Sequence, residues 1–117
     1  MSEITIYHNP RCSKSRETLA LLQAQGIEPA VVEYLKDTPS ATELSAIIKK
    51  LGIRPRDLLR SKEDEYKACG LDNMNLSDDE IIAAMCAHPK LIERPIVVKG
   101  KQARIGRPPE QVLEILA

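Results

Sequence analysis

The chain has 117 residues, 43% of them hydrophobic and 29% charged, and its 17 basic side chains balance 17 acidic ones. That length supports one domain with a core that needs neither disulfides nor metal. A net charge of zero argues against non-specific nucleic-acid binding, which needs a basic surplus, and no apolar run approaches the roughly 18 residues of a membrane span.

In chain order, residues 3–8 (EITIYH) alternate and carry β-branched side chains, the pattern of a strand. A helix is predicted after Cys12, marked by Leu19 and Leu22 and stopped at Gly26. Residues 30–35 (AVVEYL) read as the next strand, and a helical crossover between the two makes them a parallel β-α-β unit. Ser40 and Glu43 form a capping-box pattern ahead of Leu44, Ile47, Ile48 and Leu51, with Gly52 as the stop. One or two short helices are expected over 56–69. Ser77 and Glu80 repeat the capping box before IIAAMCAH, which Pro89 closes. Residues 95–98 (PIVV), a KGK turn and QARI predict a hairpin, and Pro108 and Pro109 open a final helix, EQVLEIL. The whole reads as one α/β domain over 1–117: β-α-β, a helical insertion at about 40–88, then β-β-α.

Three cysteines, at 12, 69 and 86, leave one over in any pairing and form no CxxC. The opening MSEITIYHNP turns polar within seven residues, unlike a signal peptide. A reducing, cytoplasmic setting is therefore expected. The two histidines and three cysteines lack zinc-ligand spacing, so no bound metal is expected, and no bound cofactor is expected either.

Cys12 is where chemistry is expected. It lies where a strand gives way to a helix, beside Arg11, Lys14 and Arg16. A helix N-terminus and nearby cations favour thiolate over thiol. Loop amides with the hydroxyls of Ser13 and Ser15 can seat an oxyanion. A small buried structural cysteine is the bland alternative. His8 reads either as a partner of the thiolate or as the polar end of a strand. Cys69 and Cys86 read as structural, since a resolving role would need a sulfur within reach of Cys12. His88 reads as a helix cap, Tyr7 and Tyr34 as strand packing, and Met74 as a loop anchor. Arg54, Arg94 and Arg107 each precede a proline, which keeps the backbone extended and aims the side chain. Guanidinium suits a two-pronged grip on a tetrahedral oxyanion.

Four stretches, YHNPRCSKSRETLALL, LLRSKEDEYK, ERPIVV and RIGRPPEQVLEIL, carry a resemblance in their order and spacing. From about residue 4 to its end the chain resembles the glutaredoxin-coupled arsenate reductases of the ArsC type. The resemblance implies a thioredoxin-like fold with a helical insertion. It implies Cys12 as the nucleophile toward arsenate and Arg60, Arg94 and Arg107 as oxyanion ligands. It further implies that His8 favours the Cys12 thiolate, that Ser15 is the nearby hydroxyl, and that Pro95 occupies the place of a structural cis-proline. Glutathione is the implied co-substrate, glutaredoxin the implied partner that restores the thiol, and arsenical resistance the implied role. Arg11, Ser13 and Lys14 stand where many members have small or neutral residues. Two other functions suit the same fold. One is a glutathione-dependent thiol-disulfide oxidoreductase, in which the arginines bind a glutathione carboxylate. The other is a redox-responsive transcription regulator that binds RNA polymerase, whose CxxC is missing here because Asn9 and Ser15 stand three residues either side of Cys12.

Overall fold

Four short strands make one mixed sheet in the computed structural model, which describes residues 3–116. Strands β1 (Ile4–Tyr7), β2 (Ala30–Val32), β3 (Ile96–Lys99) and β4 (Gln102–Ile105) lie in the order β2-β1-β3-β4. Helix α1 (Ser13–Ala24) joins β1 to β2, and the two strands are parallel, as a helical crossover requires. β1 also pairs antiparallel with β3, placing Ile6 between Val31 and Val97. A two-residue turn joins β3 to β4, with Lys99 opposite Gln102. Its first residue, Gly100, takes φ 60, the positive value such a tight turn demands.

The chain falls into two compact units, one built from the chain up to Asp37 and from Arg94 onward, the other from Thr38–Glu93. In the first, Ile6, Leu22, Val97, Val112 and Ile115 form the core, each 0–2% exposed. The buried face of α1 is Ser15, Thr18 and Leu22, whereas Leu19 is only half-buried. Two expectations need correction here. β2 ends at Val32 rather than 35, because the Glu33 carbonyl accepts the N–H groups of Lys36 and Asp37, both at 2.9 Å, and turns the chain. The last element, Pro109–Ile115, is a 3₁₀ helix rather than an α-helix. Its buried residues Pro109, Val112 and Ile115 recur every third position, and three residues per turn is the 3₁₀ period that stacks them on one face.

The second unit contains α2 (Ala41–Leu51), a 3₁₀ turn (Pro55–Leu58), α3 (Asp64–Ala68), α4 (Asp78–Ala87) and a 3₁₀ turn (Pro89–Leu91). Leu44, Ile47, Ile48, Leu58, Ile81, Met85 and Leu91 are buried. Both predicted N-caps are made: Ser40 and Ser77 each accept a backbone N–H three residues on, at 3.2 Å. Gly52 closes α2 at φ 70, a left-handed cap that glycine takes without a side-chain penalty. Arg56 ties the segment after α3 in place, donating to the carbonyls of Leu71 (2.8 Å) and Asn73 (2.9 Å). Met74, expected to anchor a loop, is instead 73% exposed. Among the described residues, no helix is long and apolar enough to cross a membrane.

Candidate active site

Backbone bonds fix the connection from β1 to α1. The His8 N–H donates to the Val32 carbonyl at 2.8 Å, and the Cys12 N–H donates to the Asn9 carbonyl at 3.0 Å. Asn9 Oδ1 accepts the Arg11 N–H at 3.0 Å, tightening the same turn. Cys12 is therefore the N-cap of α1, extended at φ −96 and ψ 124, and its carbonyl accepts the first helical bond from Arg16. An N-cap side chain lies beside the unpaired N–H groups of the first turn. Serine or aspartate usually fills that place. Here it holds a thiol that makes no capping hydrogen bond among the described residues. The unpaired N–H groups of a helix's first turn favour an anion at such a position.

The cation against that sulfur comes from the far end of the chain. Arg107 Nη2 lies 3.6 Å from Cys12 Sγ, while its Nε donates to the Arg94 carbonyl at 2.8 Å. The cations adjacent in sequence are exposed and engaged elsewhere. Lys14 pairs with Glu17 at 3.6 Å, Arg16 donates to the Pro10 carbonyl at 3.0 Å, and Arg11 faces solvent. Sequence adjacency leaves open whether Arg11 and Lys14 face the thiol, and a cation in contact with it is Arg107. Cys12 as a residue is 8% exposed.

Pro95 and Gly106 hold this arginine's base. The Arg94–Pro95 and Arg107–Pro108 peptide bonds are both cis. The Gly106 N–H donates to the Pro95 carbonyl at 2.9 Å. A Cβ on Gly106 would lie 2.5 Å from Thr18 Oγ1 and 2.9 Å from Pro95 Cγ, so only glycine lets α1, Pro95 and the start of the Arg107 segment approach so closely. Thr18 and Gly106 were not singled out from sequence. The available signal was a glycine between a strand and the RPP run.

His8 and Ser15 form a buried pair, with Nδ1 2.6 Å from Oγ, and the Asn9 N–H also reaches Oγ at 3.0 Å. Burial lowers the His8 pKa below its ordinary 6.5. Arg16 adds to the lowering and Glu33 opposes both. Neutral His8 with its proton on Nε2 accepts a hydrogen bond from the Ser15 hydroxyl at Nδ1, and with its proton on Nδ1 it donates to Ser15 Oγ. Protonated His8 donates to Ser15, leaving that hydroxyl proton to turn elsewhere. Cys12 at the N-cap and Ser15 three residues on share one face of α1. A cleft of about 260 Å³ opens beside the loop, its lining including His8, Arg11, Glu33, Leu35 and Lys36.

Arg60 belongs to the Thr38–Glu93 unit, where it pairs with Glu63 at 3.1 Å and Glu93 at 3.7 Å. Cys69 and Cys86 belong to that unit too. Cys69 is exposed, and burial pushes the half-buried Cys86 thiol up from its ordinary pKa. Among the described residues, no three His, Cys, Asp or Glu side chains gather as a metal ion would require.

A four-stranded mixed sheet with a cysteine at the first helix N-cap and a cis-proline opening β3 defines a thioredoxin-like class of protein. Comparison with known proteins carries this further. The ArsC family model matches residues 7–115, and the chain belongs to that family. It is 55% identical over 114 residues to an arsenate reductase of Haemophilus influenzae, covering 97% of this chain and 98% of that protein. It is 56% identical over 115 residues to the Escherichia coli K12 protein named uncharacterized protein YfgD, covering 97% of each. The solved structure of an arsenate reductase from Vibrio cholerae superposes with a TM-score of 0.96 at 59% identity, covering 98% of both chains.

Proposed function

We propose that this protein is an arsenate reductase in which the Cys12 thiolate attacks arsenic. The observation that carries the reading is the guanidinium of Arg107 set 3.6 Å from a cysteine sulfur at a helix N-cap. The thiolate and arsenate are both anions, so their meeting requires fixed positive charge, and a preorganised donor stabilises the charge that moves in the transition state. The names of the relatives support arsenate as the oxyanion.

In the proposed cycle, sulfur attacks As(V), an arsenate oxygen leaves as water, and an S–As bond joins Cys12 to the oxyanion. A glutathione thiolate then attacks the adduct. The two thiols together give up two electrons, As(V) becomes As(III), and arsenite leaves as the two sulfurs join in a mixed disulfide. Glutaredoxin exchanges that disulfide and returns the Cys12 thiol. An external donor suits this chain, because no CxxC pairs a second thiol with Cys12. The cleft beside the loop, with Arg11, Lys36 and Glu33, suits a small peptide bearing carboxylates and an ammonium group. Glutathione is abundant in a reducing cytoplasm, where we place the protein.

Arg107 and Arg94 are assigned to the oxyanion, Arg107 by its contact with the sulfur and Arg94 by the ERPIVV resemblance. For Arg60 the support is the LLRSKEDEYK resemblance. His8 and Ser15 are assigned to thiolate activation. The support for that role is the YHNPRCSKSR resemblance, together with the buried contact that holds His8 Nδ1 2.6 Å from Ser15 Oγ at the β1–α1 junction that carries Cys12. Pro95 is assigned a structural role.

The test is arsenite production from arsenate by purified protein with glutathione and glutaredoxin, beside a Cys12→Ser control. Arsenite from the wild type and none above background from the control supports the reading. No arsenite from folded protein with Cys12 reduced rejects it in favour of a thiol-disulfide oxidoreductase.

A further inference from the structure

Arg60 is fixed where the backbone brings a carboxylate to it from two directions. Its N–H donates to the Leu91 carbonyl at 2.8 Å, and the Glu93 N–H donates to the Leu58 carbonyl at 2.9 Å. With the antiparallel bridge between Leu59 and Ile92, these bonds lay residues 58–60 against 91–93 and set Glu93 beside Arg60. The chain then turns at once. The Glu63 N–H donates to the Arg60 carbonyl at 3.3 Å, which carries Glu63, the residue preceding α3, back to the arginine. Glu63 Oε1 accepts from Nη1 at 3.1 Å, and Glu93 Oε1 lies 3.7 Å from Nε. The three side chains are only 24–28% exposed, so solvent screens them incompletely.

Arg60 thus faces two carboxylates, those of Glu63 and Glu93. An arginine grips an oxyanion with two nitrogens, either Nε with one Nη or both Nη groups. Nε of Arg60 faces Glu93 and Nη1 is bonded to Glu63, so each edge already has a carboxylate on one prong. An incoming oxyanion must replace at least one of them and is repelled by the other.

We infer that Glu63 is a positioning residue that sets oxyanion affinity by competing for Arg60, holding the guanidinium in the empty protein and releasing it when an oxyanion arrives. The inference rests on the proposed role of Arg60 as an oxyanion ligand. Glu63 is the carboxylate that yields, because it sits on a turn that leads into a helix of five residues, whereas Glu93 lies in the segment paired with residues 58–60 across the Leu59–Ile92 bridge. The competition acts on any tetrahedral oxyanion, so the protein accepts a weaker hold on arsenate in exchange for lower occupancy by phosphate or sulfate.

The test uses Glu63→Gln, with Glu63→Asp as the variant that keeps the charge. Steady-state kinetics with arsenate are expected to show KM falling about three- to tenfold in Glu63→Gln, the range for a partly exposed ion pair plus relieved repulsion, with kcat within about twofold. Glu63→Asp is expected to stay near the wild type. Calorimetric binding of sulfate to the Cys12→Ser protein, with and without Glu63→Gln, reads the same competition without turnover and should tighten by a similar factor. An unchanged or raised KM, or sulfate binding that Glu63→Gln leaves unchanged or that is undetectable in both proteins, overturns the inference. Failure of the wild type to make arsenite rejects arsenate reduction instead, and the sulfate measurement still decides the role of Glu63.

Discussion

Gly106→Ala is the perturbation whose consequence can be worked most fully. The added Cβ would meet Thr18 Oγ1 at 2.5 Å, Pro95 Cγ at 2.9 Å and Thr18 Cγ2 at 3.1 Å, where ordinary contact begins at 3.4 Å. Thr18 cannot simply rotate away. It is fully buried, and its hydroxyl donates to the Lys14 carbonyl at 2.8 Å. Losing that bond alone costs about 0.5–1.5 kcal/mol. Gly106 cannot simply back off either, because its N–H is bonded to the Pro95 carbonyl. Overpacking of this kind costs about 1–3 kcal/mol, while replacing glycine stiffens the unfolded chain and returns about 0.4–1 kcal/mol. A net loss of about 1–2 kcal/mol is expected, which lowers Tm by roughly 3–12 °C in a domain of this size. Urea denaturation of Gly106→Ala, Thr18→Ala and the double variant measures it. Thr18→Ala removes two of the three colliding atoms, so the double variant should be more stable than the sum of the single losses by about 1 kcal/mol. Arg107 follows Gly106 directly, so arsenite production should fall as well. Stability of Gly106→Ala equal to wild type, or additive losses in the cycle, would refute the packing argument.

Burial lowers the His8 pKa, so between that value and 6.5 the unfolded chain binds more protons than the folded one. Stability should be complete above pH 6.5 and decline as pH falls below it, and His8→Asn should flatten that decline in urea midpoints taken at several pH values. Equal slopes would remove His8 from the account. Arg56→Ala severs two bonds to the carbonyls of Leu71 and Asn73 and should cost about 2 kcal/mol, with faster amide exchange over residues 70–75. Arg107→Ala removes the donor at the sulfur. It should lower kcat/KM for arsenate about 10²-fold or more, with Arg107→Lys failing to restore it because one ammonium cannot reach both Arg94 and Cys12.

Much of this was written in local patterns. Ser40 with Glu43 and Ser77 with Glu80 announced two helix starts, and each cap is made. The parallel β-α-β unit followed from one helix of crossover length, and the hairpin from KGK between two short apolar runs. The last element was misread because Pro108 and Pro109 open either kind of helix, and only the three-residue recurrence of Pro109, Val112 and Ile115 separates them. The face of α1 was hidden because two of its three buried residues, Ser15 and Thr18, are polar, so hydrophobic spacing pointed partly to Leu19. At the candidate site, the strand-to-helix junction at Cys12 was legible, but the cations beside it in sequence are exposed, and Arg107, which contacts the sulfur, arrives through the tertiary fold. Sequence adjacency cannot report a contact across 95 positions.

The central claim is that Cys12, rather than the exposed Cys69, takes arsenic and then glutathione. It is tested most directly by peptide mass mapping after protein, arsenate and glutathione are mixed without glutaredoxin. The account predicts glutathione joined to the peptide carrying Cys12, in an amount matching the arsenite formed, and none when arsenate is omitted. Glutathione on Cys69 or Cys86 alone, or arsenite formed with Cys12 unmodified throughout, would contradict it.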